Sequence, residues 1–222
     1  MEVDRLMFEA TPRKGEVTGL WLAPEAASHA LILSHAASTN MEHASMVVIA
    51  EALHDVGIAT FRYNFPYMEK GSGGLDGKST CYETVRSAVS RAKALANGIP
   101  LLAGGRSFGG RMTSMAVAES AIDGLVGIVF YAFPLHPAKK PSIDRANHLE
   151  SVGLPVLFLS GTRDALAEQD LLKLVVDGLE NATLHTIETA DHSFKVLKQS
   201  GLTEALAQEQ AAAAVKSWLN TI

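Results

Sequence analysis

Short apolar runs alternate along the chain with stretches whose apolar residues recur at helical spacing. Residues 30–34, 58–63, 99–103, 124–132 and 156–160 are runs of the first kind. Each is short and apolar at successive positions, which reads as a strand covered on both faces. Met46, Ile49, Ala50 and Leu53 recur at helical spacing, with Asn40 as the expected N-cap and Gly57 just past the end. Val85, Val89, Ala92 and Leu95 do the same, and Thr80-Cys81-Tyr82-Glu83 before them has the Thr-x-x-Glu form of a capping box. Further helices are expected near 168–177 and 203–219, a short one around 144–151, and a strand near 183–187. Two early strands, 5–9 and 17–23, read as an antiparallel start, and 64–79, with Gly71, Gly73, Gly74 and Gly77, reads as a loop. Strands alternating with helices imply α/β layers: a mostly parallel, twisted sheet of about 7–8 strands with helices on both faces. No repeat or linker divides the chain, so residues 1–222 read as a single domain.

Composition narrows the function classes. A chain of 222 residues that is 47% hydrophobic can bury one sizeable core. The net charge of −5 is mixed along the chain, which argues against nucleic acid or an acidic membrane surface as partner. One cysteine excludes an internal disulfide and fits a reducing compartment. Met1-Glu2-Val3-Asp4-Arg5 lacks the basic and apolar regions of a secretory signal, and no apolar run approaches a membrane span, so the expected location is cytoplasmic. No His-Glu-x-x-His or Cys-x-x-Cys pattern occurs, and no metal or other cofactor is expected. Gly73-Gly74-Leu75-Asp76-Gly77-Lys78-Ser79 ends in Gly-Lys-Ser but lacks the first glycine and preceding strand of a phosphate loop. Oligomeric state leaves no mark in the pattern.

The most specific motif is Gly105-Arg106-Ser107-Phe108-Gly109, which follows Ile99-Pro100-Leu101-Leu102-Ala103 and precedes a helical pattern. A G-x-S-x-G between strand and helix is the nucleophile elbow of an α/β hydrolase. The turn strains the serine backbone and brings strand and helix close together, which suits Gly104, Gly105, Gly109 and Gly110. A serine hydroxyl needs a base, and the base an orienting acid, in the chain order Ser, acid, His at the carboxyl ends of strands. Asp164 follows the run at 156–160 and is the expected acid, with Glu168 and Asp170 as runners-up. His192 is the only histidine after the last expected strand and is the expected base. The oxyanion donors are expected to be the backbone N–H groups of Phe108 and of Ala37, with Ala36 second to Ala37. His35 and His136 read as structural histidines near the site mouth, Arg106 and Arg111 as members of structural ion pairs, and Cys81 as a plain helix residue.

With these residues located, the chain resembles the α/β-hydrolase superfamily over nearly its whole length, and within it the small lidless group related to dienelactone hydrolases. More narrowly, Phe61-Arg62-Tyr63-Asn64-Phe65-Pro66-Tyr67-Met68, Gly105–Arg111 and Tyr131-Ala132-Phe133-Pro134-Leu135-His136-Pro137 look like the family of the testis-expressed hydrolase-like protein and the hydrolase-like domain of a non-specific-lethal complex subunit. The resemblance implies helices around a twisted sheet, no large cap domain, and Ser107, Asp164 and His192 as the triad. Two departures stand out. His35-Ala36-Ala37 replaces the usual His-Gly-Ala or His-Gly-Gly, and Ser107 replaces the cysteine of dienelactone hydrolases. The expected activity is hydrolysis of a small acyl ester or thioester through an acyl-enzyme, with Phe65, Tyr67, Met68, Phe133 and Leu135 as pocket walls. The alternative is a catalytically weak or inactive hydrolase fold that serves as a binding or scaffold protein.

Overall fold

Eight strands lie in one sheet in the order β1-β2-β4-β3-β5-β6-β7-β8. The computed structural model describes residues 1–71 and 74–222. The strands are β1 Asp4–Thr11, β2 Gly15–Leu22, β3 His29–Ser34, β4 Ile58–Tyr63, β5 Leu101–Arg106, β6 Leu125–Tyr131, β7 Val156–Gly161 and β8 Ala182–Ile187. The helices are α1 Ala44–Asp55, α2 Pro66–Glu69, α3 Lys78–Ala96, α4 Phe108–Glu119, α5 Gln169–Asp177 and α6 Glu204–Trp218. β1 pairs antiparallel with β2, and β2 with β4, while every later pairing is parallel.

Side-chain alternation along the parallel strands sorts the core into two layers. Ile32, Phe61, Ala103, Ile128, Phe130 and Phe158 pack on one face with α3, α4 and α5. Leu31, Leu33, Leu102, Val129, Leu157 and Leu159 pack on the other with α1 and α6. Both faces are therefore covered, and the central strands carry successive apolar residues for that reason. The strand order reverses at β3, whose neighbours are β4 and β5. Register places Ser34 at the end of β3 opposite Tyr63 and Gly105. The loops leaving β3 and β5 consequently flank the reversal point, where an open α/β sheet forms its ligand crevice.

Several local expectations are corrected. Asn40 does not cap α1; its Oδ1 accepts from the N–H of Glu42 at 3.0 Å and closes a turn upstream. His43 is the cap, with Nδ1 accepting from Ser45 N–H at 3.2 Å. An asparagine that can satisfy a nearby backbone group competes with its own use as a cap. The expected capping box at Thr80 lies inside α3, which starts two residues earlier after Gly77; Glu83 instead accepts from Ser79 Oγ at 3.1 Å. The loop expected over 64–79 contains α2, begun by Pro66 at a position that needs no N–H donor. Its Gly73 lies outside the described residues. The short helix expected around 144–151 is two 3₁₀ turns, Asp144–Ala146 and Leu149–Ser151. Gly57 follows α1 as expected, at φ +83°.

Candidate active site

At the end of β5, Ser107 occupies φ 50°, ψ −114°, a backbone conformation that costs about 1–3 kcal/mol for a non-glycine residue. Its N–H donates to Tyr131 O at 2.9 Å, and its carbonyl accepts from Arg111 N–H at 3.1 Å. The surrounding glycines permit the close approach that holds this turn. A Cβ on Gly104 would stand 2.0 Å from Val129 O, and one on Gly109 would stand 2.5 Å from both Ser34 O and His35 O. The first turn of α4 thus sits directly on the backbone leaving β3.

Asp164 and His192 arrive from the ends of β7 and β8. A Cβ on Gly161 would meet Ala190 O at 2.2 Å, so the two loops touch through backbone at that glycine. Arg163 N–H donates to Ala190 O at 2.9 Å, and Thr189 N–H to Thr162 Oγ1 at 2.8 Å. The Asp164 side chain is fully enclosed. Its Oδ1 accepts from Leu166 N–H at 2.8 Å, and both carboxylate oxygens face His192 Nδ1, at 2.9 Å and 2.8 Å. His192 Nε2 lies 2.9 Å from Ser107 Oγ. Nδ1–H donation to a carboxylate leaves Nε2 as the acceptor for the serine hydroxyl. Of the two runners-up for the acid, Glu168 pairs with His136 Nε2, and Asp170 lies in the first turn of α5.

The expected oxyanion donors lie where β3 and β5 end. Neither the Phe108 nor the Ala37 N–H has a backbone or side-chain partner among the described residues. Ala36 is buried, and its carbonyl accepts from His35 Nδ1 at 2.8 Å, Thr39 N–H at 3.2 Å and Thr39 Oγ1 at 3.3 Å. A trans peptide directs its N–H opposite its carbonyl, so these three donors aim the Ala37 N–H away from themselves. Tyr67 OH donates to Ala37 O at 2.9 Å and holds the next peptide. His35 and Tyr67 therefore order this loop. Sequence reasoning classed His35 as structural and Tyr67 as a pocket wall, and nothing in their spacing linked either to the Ala37 peptide.

His35 is completely buried, and desolvation pushes its pKa down to about 4, against a smaller opposing effect of the Ala36 carbonyl. It is therefore neutral at pH 7: Nδ1–H donates to Ala36 O, and Nε2 accepts from Phe65 N–H at 3.1 Å. The unfolded histidine binds a proton near pH 6.5, so the unfolded state holds more protons between pH 6.5 and about 4. This residue's share of stability is intact above pH 6.5 and falls, by up to about 3 kcal/mol, as the pH drops to 4. Urea midpoints measured from pH 7 to pH 4 should decline, and His35→Gln should flatten that decline; an unchanged slope in the variant would contradict this role.

The other residues singled out in the sequence lie as follows. Phe65, Phe133 and Leu135 are enclosed in the core, Tyr67 is nearly so, and Met68 is half-buried. Phe133 packs on Phe130 at 4.8 Å and Phe158 at 5.8 Å, whereas Phe65 and Tyr67 reach the Phe108 ring at 5.8 Å and 6.4 Å. His136 is buried with Nδ1 on Pro137 O at 2.9 Å and Nε2 on Glu168, a structural placement. The structural ion pairs expected for Arg106 and Arg111 are absent among the described residues, because no carboxylate reaches either guanidinium. Cys81 is buried in α3, and desolvation followed by the charge of Asp76 pushes its thiol up to about 12. It is a plain helix residue. A groove of about 530 Å³ adjoins the site, walled by residues such as Ser38, His43, Arg106, Phe194 and Gln208. Among the described residues, no group of three or more His, Cys, Asp or Glu could hold a metal, and no helix is long and apolar enough to cross a membrane.

A parallel sheet with a serine turn after β5, an aspartate after β7 and a histidine after β8 is the architecture of an α/β hydrolase. The chain belongs to the α/β hydrolase domain family, whose sequence model matches residues 27–220. Solved structures share the fold. A serine hydrolase without a lid from Xanthomonas campestris superposes with a TM-score of 0.76 at 20% identity, covering 98% of this chain and 95% of that one. A dienelactone hydrolase from Anabaena variabilis gives 0.75 at 16% identity, with 100% and 99% covered. Est1E from Butyrivibrio proteoclasticus gives 0.74 at 14% identity, with 98% of each chain covered.

Proposed function

We propose that this protein is a serine hydrolase that cleaves small acyl esters or thioesters through a Ser107–His192–Asp164 triad. The reading rests on one observation above the others: Ser107 Oγ stands 2.9 Å from His192 Nε2, while His192 Nδ1 is held by both oxygens of a buried carboxylate. In this mechanism His192 Nε2 takes the hydroxyl proton as Ser107 Oγ bonds to the substrate carbonyl carbon. The N–H groups of Phe108 and Ala37 stabilise the oxyanion. Collapse of the tetrahedral intermediate breaks the bond to the leaving group, which receives the proton from His192. Water then repeats the sequence on the acyl-serine and returns the enzyme. Asp164 keeps the imidazole in the useful tautomer and stabilises the imidazolium.

The connection after β6 carries only two 3₁₀ turns, which leaves the mouth open and suits modest acyl selectivity or a substrate displayed on a larger carrier. A serine in place of cysteine at the turn turns the reading away from dienelactone hydrolysis in particular. The narrower kinship with the testis-expressed hydrolase-like group, and a cytoplasmic setting, belong to the same proposal. A panel of p-nitrophenyl esters and acyl thioesters tests it. Saturable turnover that disappears in Ser107→Ala is the expected result; turnover unaffected by that substitution would overturn the mechanism.

A further inference from the structure

The groove beside the site touches three of the loops that build it, those after β3, β5 and β8. Ser38 follows Ala37, Arg106 precedes Ser107, and Ser193 follows His192, and all three line the groove. Part of its polar inventory is unspent. Arg106 is only 8% exposed, yet the one hydrogen bond of its side chain among the described residues is a long one, 3.5 Å from Nη2 to His192 O. Asp191 and Asp164 act on it through space without forming an ion pair. Lys195 also lines the groove, and its side chain forms no ion pair among the described residues.

Two helices begin at the same groove. Ala44 and Ser45 open α1, and Glu204 and Ala205 open α6. The caps His43 and Thr203 satisfy Ser45 N–H and Leu206 N–H, which leaves the N–H groups of Ala44, Glu204 and Ala205 without an intramolecular partner among the described residues. Helix N-termini favour anions through these free donors and the helix dipole. Glu204 also lines the groove, at an exposed position where solvent screens its carboxylate. Val48, Phe194 and Ala205 supply an apolar wall beside the donors, suited to a short methylene chain.

We propose that this groove is an anion subsite that selects acyl esters carrying a carboxylate, bound by the Arg106 guanidinium and Lys195 with the free N–H groups behind them. The inference rests on the hydrolase reading above and specifies its substrate class. A planar carboxylate matches the paired donors of a guanidinium, and exclusion of water at Arg106 strengthens that contact.

Two matched ester pairs test the subsite and locate the charge. Mono-p-nitrophenyl adipate against p-nitrophenyl hexanoate puts the carboxylate on the acyl side at equal chain length. 4-(Butanoyloxy)benzoate against its methyl ester puts it on the leaving group. One pair should show a kcat/KM preference for the anionic ester of about tenfold or more, expressed mainly in KM. Arg106→Gln should bring that ratio close to one. Lys195→Glu, at an exposed position, should lower the same ratio at least about threefold. Equal or poorer turnover of the anionic member in both pairs, with neutral esters cleaved in a Ser107-dependent way, would overturn the subsite and leave the hydrolase reading standing. Absence of turnover of all four esters would overturn both.

Discussion

Ser107→Ala should lower kcat for any ester substrate by about 10⁴-fold or more, with KM little changed, because the nucleophile acts in the chemical step and contributes little to ground-state binding. The protein should keep its fold. Among the described residues Ser107 Oγ makes its hydrogen bond only to His192, and alanine at φ 50° carries the same backbone strain as serine. The turn is held by Ser107 N–H on Tyr131 O and by the glycines behind it, neither of which the substitution removes. His192→Ala should be equally damaging, and the double variant no worse than either single one, since the two groups act as a unit. Thermal melts alongside steady-state rates check this expectation. Additive losses in the double variant would mean that the serine and histidine act independently.

Asp164→Asn should cost about 10⁴-fold in kcat while leaving the site geometry nearly intact, and the structure says why. Leu166 N–H donates to Asp164 Oδ1 at 2.8 Å, so an asparagine keeps its oxygen on that side. Its amide nitrogen then faces His192 Nδ1, where Oδ2 now lies at 2.8 Å. A donor at that place makes Nδ1 the acceptor and puts the ring proton on Nε2, pointed at Ser107 Oγ. The imidazole can then no longer take the serine proton. Activity should return at high pH if hydroxide substitutes for the base, whereas Ser107→Ala should show no such return. A fall of less than about tenfold would place the orienting role elsewhere.

The parts of this fold that the sequence exposes are those whose cause is local or repetitive. Strands β3, β5, β6 and β7 are covered on both faces, so their apolar runs stand out from the chain. The order of serine, aspartate and histidine is legible because Ser107 and Asp164 each follow such a run and His192 is the only histidine after the last expected strand. Capping was harder to read. Asn40 and Thr80 are residue types that favour caps, but Asn40 closes its own turn and α3 starts at Lys78. The loop of Ala37 depends on His35 and Tyr67, and these meet only because β4 lies beside β3. The groove was invisible for the same reason. Its walls come from residues 38–48, Arg106, 193–195 and 204–208, which no spacing rule joins. Ion pairs for Arg106 and Arg111 were expected from charge alone, and the absence of a carboxylate within ion-pair distance of either, among the described residues, is a property of packing.

The most direct test of the account is intact-mass measurement after treatment with a fluorophosphonate, on the wild-type protein and on Ser107→Ala. Such a reagent phosphonylates a serine only where a base activates it and an oxyanion site receives the developing charge. The account predicts a single adduct on the wild type and none on Ser107→Ala. A well-folded wild-type protein that takes up no adduct, or a Ser107→Ala protein that takes up the same adduct, would contradict it.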